Sequence, residues 1–330
     1  LKSLFLTGAT GFVGSHAARK FLAEGWKVRA LVRRPDRPGL LPDGVEVVAG
    51  SLSDTRSYVR ALEGSDAVVH VAGVTKARSL AEYREANVRG ARLVAEAAAQ
   101  ACPGAMFVLV SSQSAAGPAR GGRPVDERDK PQPVSWYGKS KLEGEEAVAR
   151  SRHGPWCAIR PSVVYGPGDP GLFQFFSIVA RGWVPIIAGG RRRFQLLAAS
   201  DLARVLFAAA GSPWLSGRRI FAAADVVEMG EVAQYLGSLR KSPARRVPVP
   251  ALLVRLAGLA ESLREYATRR SRPFNRDKAA EILQDDWICD ATAIEKEFRI
   301  SDLKHWKEGL RETALWYQQE GWLSEAFSEL

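Results

Sequence analysis

Along the first 150 residues, short apolar runs alternate with longer stretches in which apolar side chains recur every three or four positions. Residues 4–6, 27–32, 45–49, 67–71 and 106–110 are the runs; each is too short for a stable helix, and they read as strands buried on both faces. Residues 11–23, a stretch ending at Leu62, residues 82–100 and a segment opened by Trp136 carry the helical rhythm between them. Strands that alternate with helices must pair in parallel, because each crossover returns the chain to the same edge, and the helices then cover both faces. The expected fold class is α/β, a doubly wound parallel sheet over residues 1–165 with ligands beyond the carboxyl ends of its strands.

The second half is less regular. Residues 156–164 are one more strand, 165–170 a sharp turn, 172–180 a helix, 185–188 a short strand and 199–209 a helix for which Ser200 is the expected cap. Residues near 195–225 are expected to return to the sheet, leaving 166–330 as a smaller, mostly helical substrate lobe interleaved with it. Residues 249–266 place Leu252, Leu253, Leu256, Leu259 and Leu263 on one helical face between basic ends. Such a helix either packs over a cleft or makes weak peripheral contact with a membrane. Residues 276–283 and 303–323 supply the last helical segments, and His305 is assigned no chemistry.

Candidate chemistry begins at the first turn. The opening strand runs into Gly8, Gly11 and Gly14 and then a helix. One glycine permits the tight turn, the next leaves no side chain before an incoming pyrophosphate, and the third lets helix and strand approach; the helix amides then face the anion. This GxxGxxG turn marks a Rossmann dinucleotide site. Arg33 and Arg34 end the second strand, where an acidic residue would hold the ribose 2′-hydroxyl of NAD(H) and arginine can neutralise the 2′-phosphate of NADP(H). NADP(H) is favoured, with NAD(H) left open. Asn87 either steadies backbone or meets a nicotinamide-side group. A polar loop over 118–133 is long enough to shape a pocket. After it, Tyr137 and Lys141 stand four apart on one helix face. An ammonium beside a phenol favours the phenolate, and a serine at the end of the preceding strand can hold a substrate oxygen, so the set offers acid/base chemistry beside a hydride carrier.

Six segments occur together in order: TGATGFVG (7–14), HVAG (70–73), ANVRG (86–90), SS (111–112), YGKSK (137–141) and RPSVVYGPGD (160–169). In them the chain resembles the extended branch of the short-chain dehydrogenase/reductase superfamily, the NAD-dependent epimerase/dehydratase family. The resemblance implies Tyr137 as acid/base, Lys141 as its activator and Ser112 as the family's Ser or Thr, three positions before Ala115 where members carry Val. It also implies a cofactor held by Gly8, Thr10, Gly11, Phe12, Val13, Gly14, Ser51, Leu52, Val71, Ala72 and Gly73, with Asn87, Pro161 and Val164 near the nicotinamide and Tyr137 and Lys141 touching it. Where members often have GDLxD, this chain has Gly50-Ser51-Leu52-Ser53-Asp54, so Ser51 replaces the carboxylate that accepts the adenine amino group. RDKAAEILQDDWICD (276–290) and EGLRETALWYQQEGWL (308–323) look most like the branch of 3β-hydroxysteroid dehydrogenases and dihydroflavonol reductases. That implies a ketone or secondary alcohol on a lipophilic or aromatic small molecule, and a homodimer built on a pair of helices.

Two other readings stay open. A nucleotide-sugar epimerase would use Arg191, Arg192 and Arg193 for a diphosphate, although Val163 stands where epimerases usually have Asn. A non-catalytic NADP-binding sensor would have no need of Ser112, Tyr137 and Lys141. The formal net charge of +11 is dispersed, and no helix-turn-helix, zinc module or RNP signature accompanies it, which excludes nucleic acid. Three scattered cysteines form neither a disulfide framework nor a metal site. A reducing compartment, an opening strand in place of a leader and no membrane-length apolar run make the cytoplasm the expected location.

Overall fold

The computed structural model describes residues 1–272 and 274–328. Its main sheet has seven parallel strands: β1 (Ser3–Thr7), β2 (Lys27–Val32), β3 (Glu46–Ala49), β4 (Ala67–His70), β5 (Met106–Val110), β6 (Trp156–Pro161) and β10 (Arg219–Ala222). They lie in the order β10-β6-β5-β4-β1-β2-β3, so the direction of winding reverses between β1 and β4. Side chains alternate across the pleat. Leu4, Leu6, Val108 and Val110 enter a core beneath α1 (Phe12–Ala23), α7 (Ala199–Ala210) and α11 (Ala293–Phe298). Phe5, Val68, Phe107 and Leu109 enter the opposite core beneath α2 (Val59–Leu62), α4 (Gly90–Ala101) and α5 (Trp136–Ser151). Because both faces of the central strands are covered, those strands carry continuous apolar runs, which is what made them visible in the sequence; the edge strand β3, expected to be buried on both faces, is largely exposed.

The lobe is built on two small sheets. In one, β9 (Arg193–Ala198) pairs with β7 (Val163–Tyr165), β11 (Val226–Glu228) and β13 (Asp286–Trp287); in the other, β8 (Trp183–Ile187) pairs in parallel with β12 (Arg245–Val249). Around them stand α6 (Phe173–Ala180), α8 (Met229–Ser238), α9 (Ala251–Thr268), α10 (Arg276–Ile282) and α12 (Trp306–Gln319). Between the two halves the chain crosses repeatedly. α7 and β10 belong to the main sheet, and Ile294 and Phe298 of α11 pack into its core.

Several expectations are corrected here. Residues 156–164 are not one strand, because the chain leaves the main sheet after Pro161 and 163–165 pair with β9. Ser200 is exposed inside α7; the preceding Ala198 ends the extended segment, and no side chain caps the helix. The loop over 118–133 is a strap sewn to the C-terminal segment, with Val125 N donating to Ile288 O at 3.0 Å and Asp290 N to Val125 O at 2.9 Å.

A buried ion pair locks α5 to the sheet. Glu145 has no solvent exposure and Arg160 on β6 has 1%. Arg160 forks onto the carboxylate at 2.9 and 2.7 Å, Arg219 of β10 adds a bond at 3.1 Å, and the Ser111 hydroxyl donates to the same carboxylate. Removing one partner strands a charge without water, whereas removing both does not. Arg160→Met is therefore expected to lower stability by about 3–5 kcal/mol in urea unfolding, and Glu145→Leu/Arg160→Met by clearly less than its two single changes summed.

Candidate active site

The glycine turn has the shape its spacing implies. Gly8 takes φ +78, and a Cβ there would stand 2.7 Å from the backbone N of Ala72; one on Gly14 would stand 2.1 Å from Gly8 O. Neither position admits a side chain. Gly11 is exposed and precedes α1 with no side chain bridging the first turn, and that turn has no acidic residue. Its free N–H groups and positive dipole end are fit for a pyrophosphate. Thr10 lies in the turn itself, with its carbonyl accepting from Leu40 N at 3.1 Å, and Phe12 and Val13 begin the helix half-buried.

The other positions expected to hold a cofactor line the same edge. Arg33 and Arg34 follow β2, exposed, and make no ion pair among the described residues. Ser51 and Leu52 follow β3, and the Ser51 hydroxyl shares a 3.1 Å bond with that of Ser53. Val71, Ala72 and Gly73 follow β4, fastened to β1 by Val71 N to Thr7 O at 3.2 Å and Ala72 N to Thr7 Oγ1 at 3.2 Å. Pro161 ends β6, and Val164 lies in the adjoining β7. His70 is packed rather than poised for chemistry. Its Nδ1 shares a 2.8 Å bond with Thr7 Oγ1, while burial, with a smaller push from Lys141, drives its pKa down to about 3.

Asn87 sits in a π-helical turn, Glu85–Arg89, between α3 (Leu80–Arg84) and α4. Its Oδ1 accepts from Val74 N at 2.8 Å, and its Nδ2 donates to Val74 O at 3.0 Å and to Ser140 Oγ at 2.9 Å. The amide thus ties the loop after β4 to α5, which is the backbone-steadying arrangement. A Cβ on Gly73 would meet Asn87 Oδ1 at 2.8 Å and Lys141 Nζ at 3.9 Å, so this corner stays open only because residue 73 is glycine.

Tyr137 stands in the first turn of α5, with the Ser112 hydroxyl against its phenol. Every amide of that turn is satisfied. Asp277 accepts from Trp136 N at 2.6 Å and from Tyr137 N at 3.2 Å, and Ser135 accepts from Gly138 N at 2.9 Å while donating to Glu281 at 2.7 Å. The carboxylates come from α10 in the lobe, so the lobe meets α5 at the tyrosine expected to act as acid/base. Tyr83 packs on the Tyr137 ring at a centroid distance of 6.0 Å.

The electrostatics differ from the sequence expectation. Burial raises the Tyr137 pKa above its ordinary value, the Ser112 hydroxyl opposes that, Glu281 adds to it, and the cation acting on the phenol is Lys278. Lys141 is held from the neighbouring strand. Its Nζ donates to Val110 O at 2.6 Å, and burial lowers its own pKa to about 8, against a smaller upward pull from Glu145. The upward direction for Tyr137, with burial as its main cause, favours the protonated phenol.

Beside the ring is a narrow, partly open space of about 10 Å³, lined by Thr75, Tyr83, Tyr137, Arg272, Asn275, Asp277, Lys278 and Glu281 among others. It holds about one water, and a substrate must widen it. Sequence reasoning missed Asp277, Lys278 and Glu281. Their only signal is the four-residue spacing of the two carboxylates within RDKAAEI, which puts both on one face of α10. Conversely, the Arg191–Arg193 cluster does not converge on the site. Arg193 is forked onto Asp286 at 2.8 and 2.9 Å, and Arg192 bonds Ala188 O at 2.9 Å and faces Asp285.

Turnover that uses the Lys141 ammonium should be constant below its pKa and fall as pH rises through about 8. Lys141→Arg, which does not titrate in that range, should lose this break in a kcat/KM profile even if its plateau is lower.

A family model described as "NAD dependent epimerase/dehydratase family" matches residues 4–220. A ceramide reductase of Caulobacter vibrioides is 33% identical over 329 residues, covering 96% of this chain and 95% of the relative. The sterol demethylase protein B of Methylococcus capsulatus is 30% identical over 82% of this chain and 85% of its own length. Among solved structures, MoeE5 in complex with UDP-glucuronic acid and NAD superposes with a TM-score of 0.77 at 23% identity, covering 96% of this chain and 99% of that one, which speaks to the fold alone. The chain therefore belongs to the NAD-dependent epimerase/dehydratase family and, with it, to the NAD(P)-dependent oxidoreductases of the extended short-chain dehydrogenase/reductase superfamily.

Proposed function

We propose that this protein reduces a ketone on a lipophilic or aromatic molecule to a secondary alcohol, with NADPH preferred to NADH. The observation that carries the reading is a half-buried phenol in the first turn of α5, with the Ser112 hydroxyl against it and, one turn on, the Lys141 ammonium donating to Val110 O. When bound, the nicotinamide supplies the hydride. The protein's part is the proton. Ser112 donates to the substrate oxygen and holds it at the Tyr137 hydroxyl, and Tyr137 passes its proton to that oxygen as the carbonyl becomes an alcohol. Lys141, anchored on Val110 O, keeps two further N–H groups that can hold ribose hydroxyls and refill the proton at Tyr137. A protonated phenol is the form that reduction consumes; the reverse reaction needs the phenolate, which burial disfavours. The named activities of the ceramide and sterol relatives support a lipophilic substrate. An epimerase is disfavoured because the guanidiniums of Arg192 and Arg193, which it would turn to a diphosphate, face Asp285 and Asp286.

Tyr137→Phe is expected to cut ketone-dependent NADPH oxidation by about 10²–10⁴-fold with little effect on NADPH binding. Long-chain 3-keto lipids, steroid ketones and UDP-sugars, assayed side by side, separate the readings. Turnover surviving undiminished in this variant refutes the role given to Tyr137, and activity confined to UDP-sugars refutes the substrate class.

For the cofactor, Arg33 and Arg34 stand exposed beyond β2 without a carboxylate partner and can take a 2′-phosphate. Arg33→Ser/Arg34→Ser should weaken NADPH binding about tenfold and leave NADH binding unchanged in fluorescence titrations. Equal affinities in the unaltered protein would remove the preference.

A further inference from the structure

α9 is amphipathic the wrong way round for a helix that serves only the core. Its inward face is Val254, Gly258 and Glu265, all buried. Its outward face carries the leucines: Leu252 is 63% exposed, Leu256 52%, Leu259 47% and Leu263 63%, with Tyr266 at 88%. At the helical pitch these five side chains fall within roughly a quarter of the circumference. Leu253, 54% exposed, lies beside them, and Arg255 and Arg264 border the stripe on opposite sides. Neither half of the molecule covers this stripe among the described residues.

The charge around the stripe has one sign. Arg245 and Arg246 on the strand that feeds α9, Arg255 within it, and Arg269 and Arg270 at its end are all exposed and form no ion pair among the described residues. Many arginines elsewhere are matched, as in Arg78–Glu82, Arg84–Glu143, Arg89–Glu85 and Arg92–Glu96. The helix's own carboxylates are turned away from the stripe. Glu265 is buried and accepts from Arg272 N and Asn275, and Glu261 bonds Arg264 and faces Arg272. A second copy laid on this face would set arginine against arginine with no acid between them. A bilayer with anionic headgroups answers both features, since acyl chains take the leucines and lipid phosphates take the guanidiniums.

We infer that α9 is a membrane-docking helix that lays its leucine stripe into an anionic bilayer surface. The inner face of α9 connects that surface to the site. A Cβ on Gly258 would stand 2.8 Å from Ala279 Cβ, so α9 lies close upon α10, and Asp277 of α10 caps the helix that carries Tyr137. Docking by α9 therefore sets a bilayer one helix away from the Tyr137 site, and, on the lipophilic substrate proposed above, that bilayer is where the ketone is concentrated.

The test is sedimentation of the full chain with vesicles of mixed phosphatidylglycerol and phosphatidylcholine, and with phosphatidylcholine alone. Binding should be roughly tenfold stronger on the anionic vesicles and fall with added salt. Leu256→Glu/Leu259→Glu should reduce it about tenfold or more. Both leucines are exposed, and an unchanged melting temperature will establish that this variant is folded. Arg269→Ser/Arg270→Ser should remove most of the preference for anionic lipid. Three results overturn the inference: no vesicle binding by the unaltered chain, equal binding by the leucine variant, or a self-association that the leucine variant abolishes while vesicles bind neither. Binding is read without turnover, so a chain that docks but reduces no ketone refutes only the function proposed above, and one that reduces ketones but never docks refutes only this inference.

Discussion

A carboxylate shut away from water sets how α5 sits on the main sheet. Glu145 cannot remain charged in an apolar interior unless cations and donors come to it, and Arg160, Arg219 and Ser111 do so from β6, β10 and the end of β5. That demand leaves α5 with one rotation and one register against the sheet, since a turn in either direction would strand the charge. Lys141 and Tyr137 lie four and eight residues earlier on the same face. They are therefore delivered to the carboxyl edge of β5, beside Ser112, by a pairing that takes no part in the reaction. Asp277 and Glu281 hold the other end of the same arrangement by fixing the first turn of α5 from the lobe.

Within that frame the acid/base balance follows from desolvation rather than from pairwise attraction. Burial weakens both charged forms at once, bringing Lys141 down to about 8 and pushing Tyr137 up. Near neutrality the result is an ammonium and an intact phenol, one proton on each. A phenolate would add a negative charge to a space that already faces Asp277 and Glu281, both contributed by α10. Lys278 is the cation that offsets them, and it is half-exposed and bonded to Glu281 at 3.0 Å. The lobe thereby sets the ease with which the phenol can give up its proton, although the phenol belongs to the other half of the molecule.

The sequence made legible what is local along the chain. The glycine turn, the buried strands and the Tyr137–Lys141 pair each need only a few neighbours to be recognised, and the main sheet is where the alternation of runs and helices puts it. What escaped depends on distant partners. Asp277 meets Trp136 N across 141 positions, and Glu281 meets Ser135 across 146, distances over which one chain offers no spacing rule. The hydrogen bond of Lys141 was out of reach for a related reason: helical spacing shows that two side chains share a face, but not that the Val110 carbonyl accepts from the ammonium. β12 was missed because RRVPV, basic and interrupted by proline, lacks alternation, and its pairing with β8 is supplied by the tertiary fold. Asn87 was read two ways because the π-helical turn that aims its amide at Val74 has no signature in ANVRG.

The excess of basic residues, 47 Lys and Arg against 36 Asp and Glu, has a physical meaning only through where the unmatched ones lie. Much of the charge on the helices around α5 is neutralised within a turn or by a neighbouring helix, and Arg192 and Arg193 face Asp285 and Asp286. Two groups stay unmatched at functional edges: Arg33 and Arg34 beside the cofactor crevice, and the arginines around α9 beside an exposed leucine stripe. In water, an apolar stripe ringed by uncompensated cations is unfavourable on both counts, because the leucines gain nothing from exposure and the guanidiniums repel. Both penalties vanish together at an anionic surface. On the docking and the substrate class proposed above, the charge and the exposed leucines serve one adaptation of the lobe that carries Asp277 to Tyr137.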